Sequence, residues 1–222
     1  MRGGDLTREK IKRTAEALFA ARGFNAVSIR DIVEAAEQRN TGSLHYYFRT
    51  KEALARELVA EGVRRIDDDR NRRLDQLEAK GGPRDLRDLI ELLAYPYFVD
   101  ADFMRFLSRL MQDNYELFLE GAKGQDSGFM RVIAHVLRLL PEIPKGVLLQ
   151  RFQLLIVYLT SMLALQSSGR HGDEAWARFW QVPGAEDTLL DTVEGMLRQP
   201  VFSSARAAMN GSIKSRRVAR SA

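Results

Sequence analysis

The sequence of 222 residues contains no cysteine. Disulfides, thiolate nucleophiles and cysteine-held metals are excluded, and a reducing compartment is permitted; a cytoplasmic location is the expectation. Histidine is scarce: His45, His135 and His171 are the three. None lies at metal-ligand spacing, so no metal site is expected. No glycine-rich phosphate loop and no His–carboxylate pair at useful spacing occurs, so neither an enzyme nor a cofactor is expected. Long apolar runs are also missing. The most apolar stretch, Val147 to Leu165, is interrupted by Gln150, Arg151 and Gln153. Its longest unbroken run, Leu154 to Leu159, falls well short of the ~20 residues a membrane span needs. The opening "MRGGDLTREKIKRT" lacks the apolar core of a signal peptide. No stretch alternates as a strand would, and there is no internal repeat.

Hydrophobic residues make up 45% of the chain and charged residues 29%. That mixture supports a packed core and argues against wholesale disorder. The net charge of +4 is unevenly placed. Residues 1–50 hold nine Lys/Arg against six Asp/Glu, residues 51–202 hold twenty against twenty-four, and residues 203–222 hold five against none. Basic ends suit a polyanionic partner, nucleic acid being the commonest. The basic tail, 203–222, has little to bury and reads as a disordered extension that either contacts DNA or is simply solvated.

The periodic segments have helical spacing throughout. Ile11, Ala15, Leu18 and Phe19 make one stripe, with Thr7 as a candidate cap and Gly23 as a left-handed stop. Ser28 and Asp31 have capping-box spacing, and Ile29, Ile32, Val33 and Ala36 follow on one face. Leu44 and Phe48 lie four apart on a third short helix. A long helix is expected from Lys51 to Ala79, with Leu54, Leu58, Val63, Ile66, Leu74 and Leu77 inward and "GGP" ending it. Further helices are expected over Arg84–Val99, Asp102–Glu120, Ser127–Leu140, Pro144–Ser167 and Ala185–Gln199. The fold class is all-α: three short helices, then a larger bundle.

The stretch "QRNTGSLHYYFRTKEAL" (Gln38 to Leu54) carries the chemistry. Two short helices joined by a polar turn form a helix-turn-helix, whose second helix enters the DNA major groove. Leu44 and Phe48 would pin that helix. Thr41, Ser43, His45, Tyr46 and Tyr47 would then face outward, where hydroxyls, imidazole and rings can meet phosphate oxygens, base edges and thymine methyls. Lys51 would add a cation at the start of the next helix, beside N–H groups that favour a phosphate.

At these residues the chain resembles the TetR family of transcriptional regulators. The family's "LFAxxGF" and the pattern ending "GTLYHYFxSKEAL" correspond to "LFAARGFNAVSIRDIVEAAEQRNTGSLHYYFRTKEAL", Leu18 to Leu54. The close resemblance covers about the first fifty-five residues, and the rest matches only in its plan of helix lengths. Two departures stand out. Glu37 occupies a turn position where the family carries Gly, a conformation Gly adopts more cheaply. The turn "EQRNTGS" is also one residue longer than usual.

The resemblance implies a helix-turn-helix domain over 1–52 and a ligand-binding and dimerisation domain over 53–202. It implies DNA contacts from Ser28, Arg30, Arg39, Asn40, Thr41, Gly42, Ser43, His45, Tyr46, Tyr47 and Lys51. Arg30 is the candidate for reading a guanine, and Lys51 for gripping a phosphate. It also implies a homodimer through 144–168 and 185–199. The helix over 144–168 is apolar nearly all round, so it needs burial on both sides, against its own domain and a second copy or within one deep core. An apolar small-molecule effector would be held among Tyr95, Phe98, Phe103, Phe106, Met111, Tyr115, Phe152, Tyr158, Met162 and Trp176. The same residues suit an ordinary core. "DDDR" (Asp67 to Arg70) reads as a cation site or as a solvated face with an Asp68–Arg72 pair. The expected function is a dimeric repressor released from a palindromic operator by its effector. The alternative is a helical adaptor that keeps the fold without specific DNA binding.

Overall fold

The computed structural model describes residues 3–38, 42–169 and 174–202. Among them the chain forms eleven helices and no strand. In chain order they are α1 (Gly3–Arg22), α2 (Ile29–Ala35), α3 (Gly42–Phe48), α4 (Lys51–Ala79), α5 (Leu86–Val99), α6 (Ala101–Asp113), α7 (Tyr115–Ala122), α8 (Ser127–Leu139), α9 (Lys145–Gly169), α10 (Glu174–Gln181) and α11 (Ala185–Arg198). The basic tail, His171 and the turn residues Arg39, Asn40 and Thr41 lie outside the described residues.

Local chemistry sets most boundaries. The Gly23 N–H closes α1 onto the Phe19 carbonyl at 2.9 Å, with Gly23 at φ 86° as the sequence requires of a left-handed stop. Thr50 caps α4 by accepting the Ala53 N–H at 3.0 Å. Gly81 and Gly82, at φ 100° and 88°, turn the chain away at its far end. Asp85 caps α5 through the Asp88 N–H.

Two expectations are corrected. Thr7 does not cap α1, which runs back to Gly3. Its first turns are held down by tertiary contacts: Arg8 pairs with Glu57 of α4 and lies 5.0 Å from the centre of the Phe48 ring. Lys12, also on α1, pairs with Glu61. The single helix expected from Asp102 to Glu120 is two, broken at Asn114. The Asn114 side chain accepts the Leu117 N–H at 3.1 Å, and its extended backbone (φ −158°) starts a new helix in a new direction.

The core is continuous from the first helix to the last. α6 packs between α1 and α9, α4 runs along α7 and α8, and α11 packs on α5 and α9. Phe19 of α1 stacks on Phe106 of α6, ring centroids 5.8 Å apart, so the first helices are joined to the bundle by aromatic packing. No described helix is long and apolar enough to cross a membrane.

Candidate nucleic-acid interface

The interface is built on the capping box of α2. The Ser28 hydroxyl accepts the Asp31 N–H at 3.1 Å, and the Asp31 carboxylate accepts the Ser28 N–H at 2.7 Å and its O–H at 2.6 Å. These bonds, with Arg22 alongside, hold the Asp31 carboxyl down to about 2. Asp here does the work usually given to Glu. Ser28 therefore directs its hydroxyl proton to Asp31, and only its oxygen lone pairs remain for an outside donor. Arg30 stands in the first turn of α2, exposed and ion-paired to no described residue.

Ile32, Val33 and Ala36 bury the inner face of α2. Glu37 then turns the chain at φ 54°, the left-handed conformation that its position demands and that Gly would adopt without strain. Lys10 pairs with its carboxylate and holds the Glu37 carboxyl below the usual range. The Gln38 side chain donates to the Ala36 carbonyl at 2.9 Å.

On α3, Leu44 and Phe48 are buried as the four-residue spacing requires. The outer face carries Gly42, His45 and Tyr46, all exposed, with Ser43 and Tyr47 half-buried at its edges. Tyr46 leaves 82% of its surface to solvent, an unusual state for so large a ring. Its ring meets that of Tyr47 edge-on at 5.0 Å. Tyr47 also packs on the core, and its hydroxyl lies close to Gly4 of α1. His45 Nδ1 is 2.7 Å from the Arg49 carbonyl. A carbonyl only accepts, so Nδ1 carries the proton, and in the neutral ring Nε2 is an acceptor. Arg49 leaves the helix at φ 65°, exposed.

Lys51 opens α4, where the spacing places it. Its ammonium turns inward and donates to the Phe24 and Val27 carbonyls, both at 2.9 Å, and lies 4.2 Å over the Phe24 ring. Two of its three protons are thus committed to tying α4 to the α1–α2 corner. Lys51 positions α2 and α3 more than it offers charge. Sequence reading missed its partners because they lie 24 and 27 residues away. It also missed Asp113 at the end of α6, whose carboxylate accepts the Asn25 N–H at 3.4 Å beside Gly23.

Of the residues expected around an effector, some border two described clefts and others fill the core. Tyr95 borders a cleft of about 290 Å³ between α4 and α5, with Arg73 lying 3.4 Å over its ring. Met111 and Tyr115 border a separate cavity of about 120 Å³ between α6 and α9. Phe98, Phe103, Phe106, Phe152, Tyr158 and Met162 line neither. Phe103, Phe106 and Phe152 are core residues, buried by their neighbours. The Trp176 side chain lies outside the described residues.

"DDDR" is neither a cation site nor a wholly solvated face. Asp67 is buried and accepts the Ser127 hydroxyl at 2.7 Å and the Gly128 and Phe129 N–H groups at 2.9 and 3.1 Å, so it caps α8 from α4. Arg72 pairs with Asp69, not Asp68. Among the described residues no group of three His, Cys, Asp or Glu could hold a metal.

Two short helices joined at a left-handed turn, the second pinned by two apolar residues and polar outward, define a helix-turn-helix protein. Residues 11–58 match the family described as bacterial regulatory proteins, tetR family. That match gives the chain a TetR-type helix-turn-helix domain over these residues. The chain is 25% identical over 142 residues to the HTH-type transcriptional regulator YfiR of Bacillus subtilis (strain 168), covering 56% of this chain and 68% of that one. Its fold is similar to that of Salmonella enterica GusR, with a TM-score of 0.53, 20% identity and coverage of 87% and 96% of the two chains. The fatty acid degradation regulator FadR of Bacillus halodurans is also similar, with a TM-score of 0.58, 16% identity and coverage of 88% and 96%.

Proposed function

We propose that the protein is a dimeric, ligand-responsive repressor whose α3 enters the major groove of a palindromic operator. The observation that carries this reading is the division of α3: Leu44 and Phe48 fix it, while His45, Tyr46 and Gly42 stay exposed. A helix held so firmly with rings and polar groups outward suits a groove of base edges and phosphates. Arg30, exposed on α2, is the candidate for bidentate base contact, and Arg39, Asn40, Thr41 and Ser43 would flank it. Residues 1–52 would act as the DNA-binding domain, and 53–202 as the domain that binds effector and pairs.

The dimer reading is supported by α9, which leaves Leu154, Val157 and Leu149 exposed on one side while Leu148, Phe152, Leu155 and Leu159 are buried on the other. A matching face on a second copy would cover them, and two-fold pairing matches a palindrome. Ligand response supposes that effector binds better to the state whose recognition helices are wrongly spaced, and so shifts the population away from DNA. A likeness to a fatty acid degradation regulator is compatible with an apolar effector.

The test is selection of bound duplexes from random DNA by the full chain, with sedimentation in parallel. Enrichment of a palindrome by a dimer supports the reading. A dimer that enriches no sequence refutes specific DNA binding and favours a helical adaptor.

A further inference from the structure

His45 is the fourth residue of α3 and is exposed on its outer face. Gly42, exposed one turn earlier on the same face, has no side chain to hold the helix away from a ligand. Leu44 and Phe48, both buried, fix the helix from behind. The imidazole ring is itself held before any ligand arrives. Its Nδ1 lies 2.7 Å from the carbonyl of Arg49, where the chain leaves α3 at φ 65°. A carbonyl has no proton to give, so Nδ1 carries the N–H of the neutral ring. Nε2 then has a lone pair and no proton, and no described residue donates to it.

This tautomer decides what His45 can read. Phosphate oxygens, guanine N7 and O6, adenine N7 and thymine O4 are all acceptors, and two acceptors cannot share a hydrogen bond. The base edges of the major groove offer two kinds of donor, the N6 amine of adenine and the N4 amine of cytosine. We infer that His45 is a specificity-determining residue whose Nε2 accepts a hydrogen bond from the exocyclic amine of an adenine or a cytosine in each half-site; this rests on the reading of α3 as the recognition helix. The Arg49 carbonyl is the positioning group. It sets the tautomer and the ring direction in advance, so little freedom is lost on binding. The place of His45 near the start of α3 suits this role, because base edges are met by the N-terminal residues of a recognition helix.

The experiment uses the full chain and the duplex it selects from random DNA, in mildly alkaline buffer where imidazole is neutral. Each adenine of a half-site is replaced in turn by purine, which lacks the N6 amine, and each cytosine by pyrimidin-2-one, which lacks the N4 amine. At one position the missing amine should weaken the parent chain about fivefold, the loss of one neutral hydrogen bond. The position that responds tells adenine from cytosine. His45→Phe keeps a ring and removes the acceptor. It should bind the unmodified duplex about fivefold more weakly at unchanged helix content, and be indifferent to the same replacement. In the free chain, nitrogen-15 resonances should show His45 Nε2 unprotonated, and a proton there overturns the assignment at its source. A selected duplex in which no missing amine distinguishes the parent from His45→Phe overturns this inference alone and leaves the regulator reading standing. A His45→Phe loss that is equal for every sequence and appears only in acid buffer belongs to an imidazolium on phosphate, and also overturns it. Selection of no duplex at all removes the regulator reading and this inference together.

Discussion

The two halves of α4 hold their neighbours by different means. From Leu54 to Gly62 the contact is close and apolar at its centre, with the ion pairs of Arg56, Glu57 and Glu61 at its edge. Leu54, Ala55, Leu58 and Val59 are buried, and Gly121 of α7 sits so close that a Cβ there would come within 2.7 Å of the Val59 Cβ. Gly62 is covered by the Phe103 ring of α6. From Asp67 to Glu78 polar contacts surround the buried Leu74. Asp67 caps α8, Arg131 of α8 reaches Asn71, Asp75 and Glu78, and His135 donates to Glu78 at 2.8 Å. The donor is fixed by Arg138, which can only donate to the other ring nitrogen. His135 and then Arg131 hold the Glu78 carboxyl below its usual range. Shape thus fixes the half of α4 nearest the DNA-binding helices, where any slack would reach α3. Charge and direction fix the register of the other half against α8.

The comparison can be broken from either side. Phe103→Ala should cost the most, about 3–5 kcal/mol by denaturant unfolding, since a fully buried ring leaves a cavity between α4 and α6. Asp67→Ala should cost somewhat less, about 2–4 kcal/mol, because two N–H groups and a hydroxyl lose their acceptor at a buried helix end. Asp67→Asn keeps an acceptor and should recover at least half of that loss. Equal losses for Ala and Asn would mean that the charge, not the cap, is what α8 requires. Gly62→Ala should cost about 1–3 kcal/mol through overpacking against Phe103. Smallest of all, Glu78→Gln should cost under about 1 kcal/mol, and less at high salt, since Glu78 is solvent-screened. A larger, salt-insensitive loss would show that the polar half is as rigid as the close-packed one.

Sequence alone made the arrangement of α2 and α3 legible because its signals are local. The Leu44–Phe48 spacing, the Ser28–Asp31 box and the strained position of Glu37 all involve residues within a few positions of each other. Helix ends were legible where a glycine or a capping side chain marked them. Asn114 was not, since an Asn inside an apolar-periodic run reads equally well as a solvated helix residue until its side chain is seen to cap α7. Asp67 was misread, and the partners of Lys51 were missed, for a related reason. Both look like surface charges in sequence, and both are occupied by backbone groups far along the chain, on α8 and at the α1–α2 corner. A ring at helical spacing does not reveal whether it lines a space or fills one: Phe103, Phe106 and Phe152 are buried core residues, while Tyr95, Met111 and Tyr115 border clefts.

The most direct test of the account is affinity for the selected duplex against salt, for the parent chain and for Arg30→Ala and Tyr46→Ala. Both side chains are exposed, so neither change should disturb folding. The account predicts a steep fall of log affinity with log salt. It predicts about a tenfold or greater loss in each variant at unchanged helix content, with Arg30→Ala relaxing preference at one base pair by ~1–3 kcal/mol. A shallow salt slope, with both variants bound as tightly as the parent, would contradict the placement of α2 and α3 on DNA.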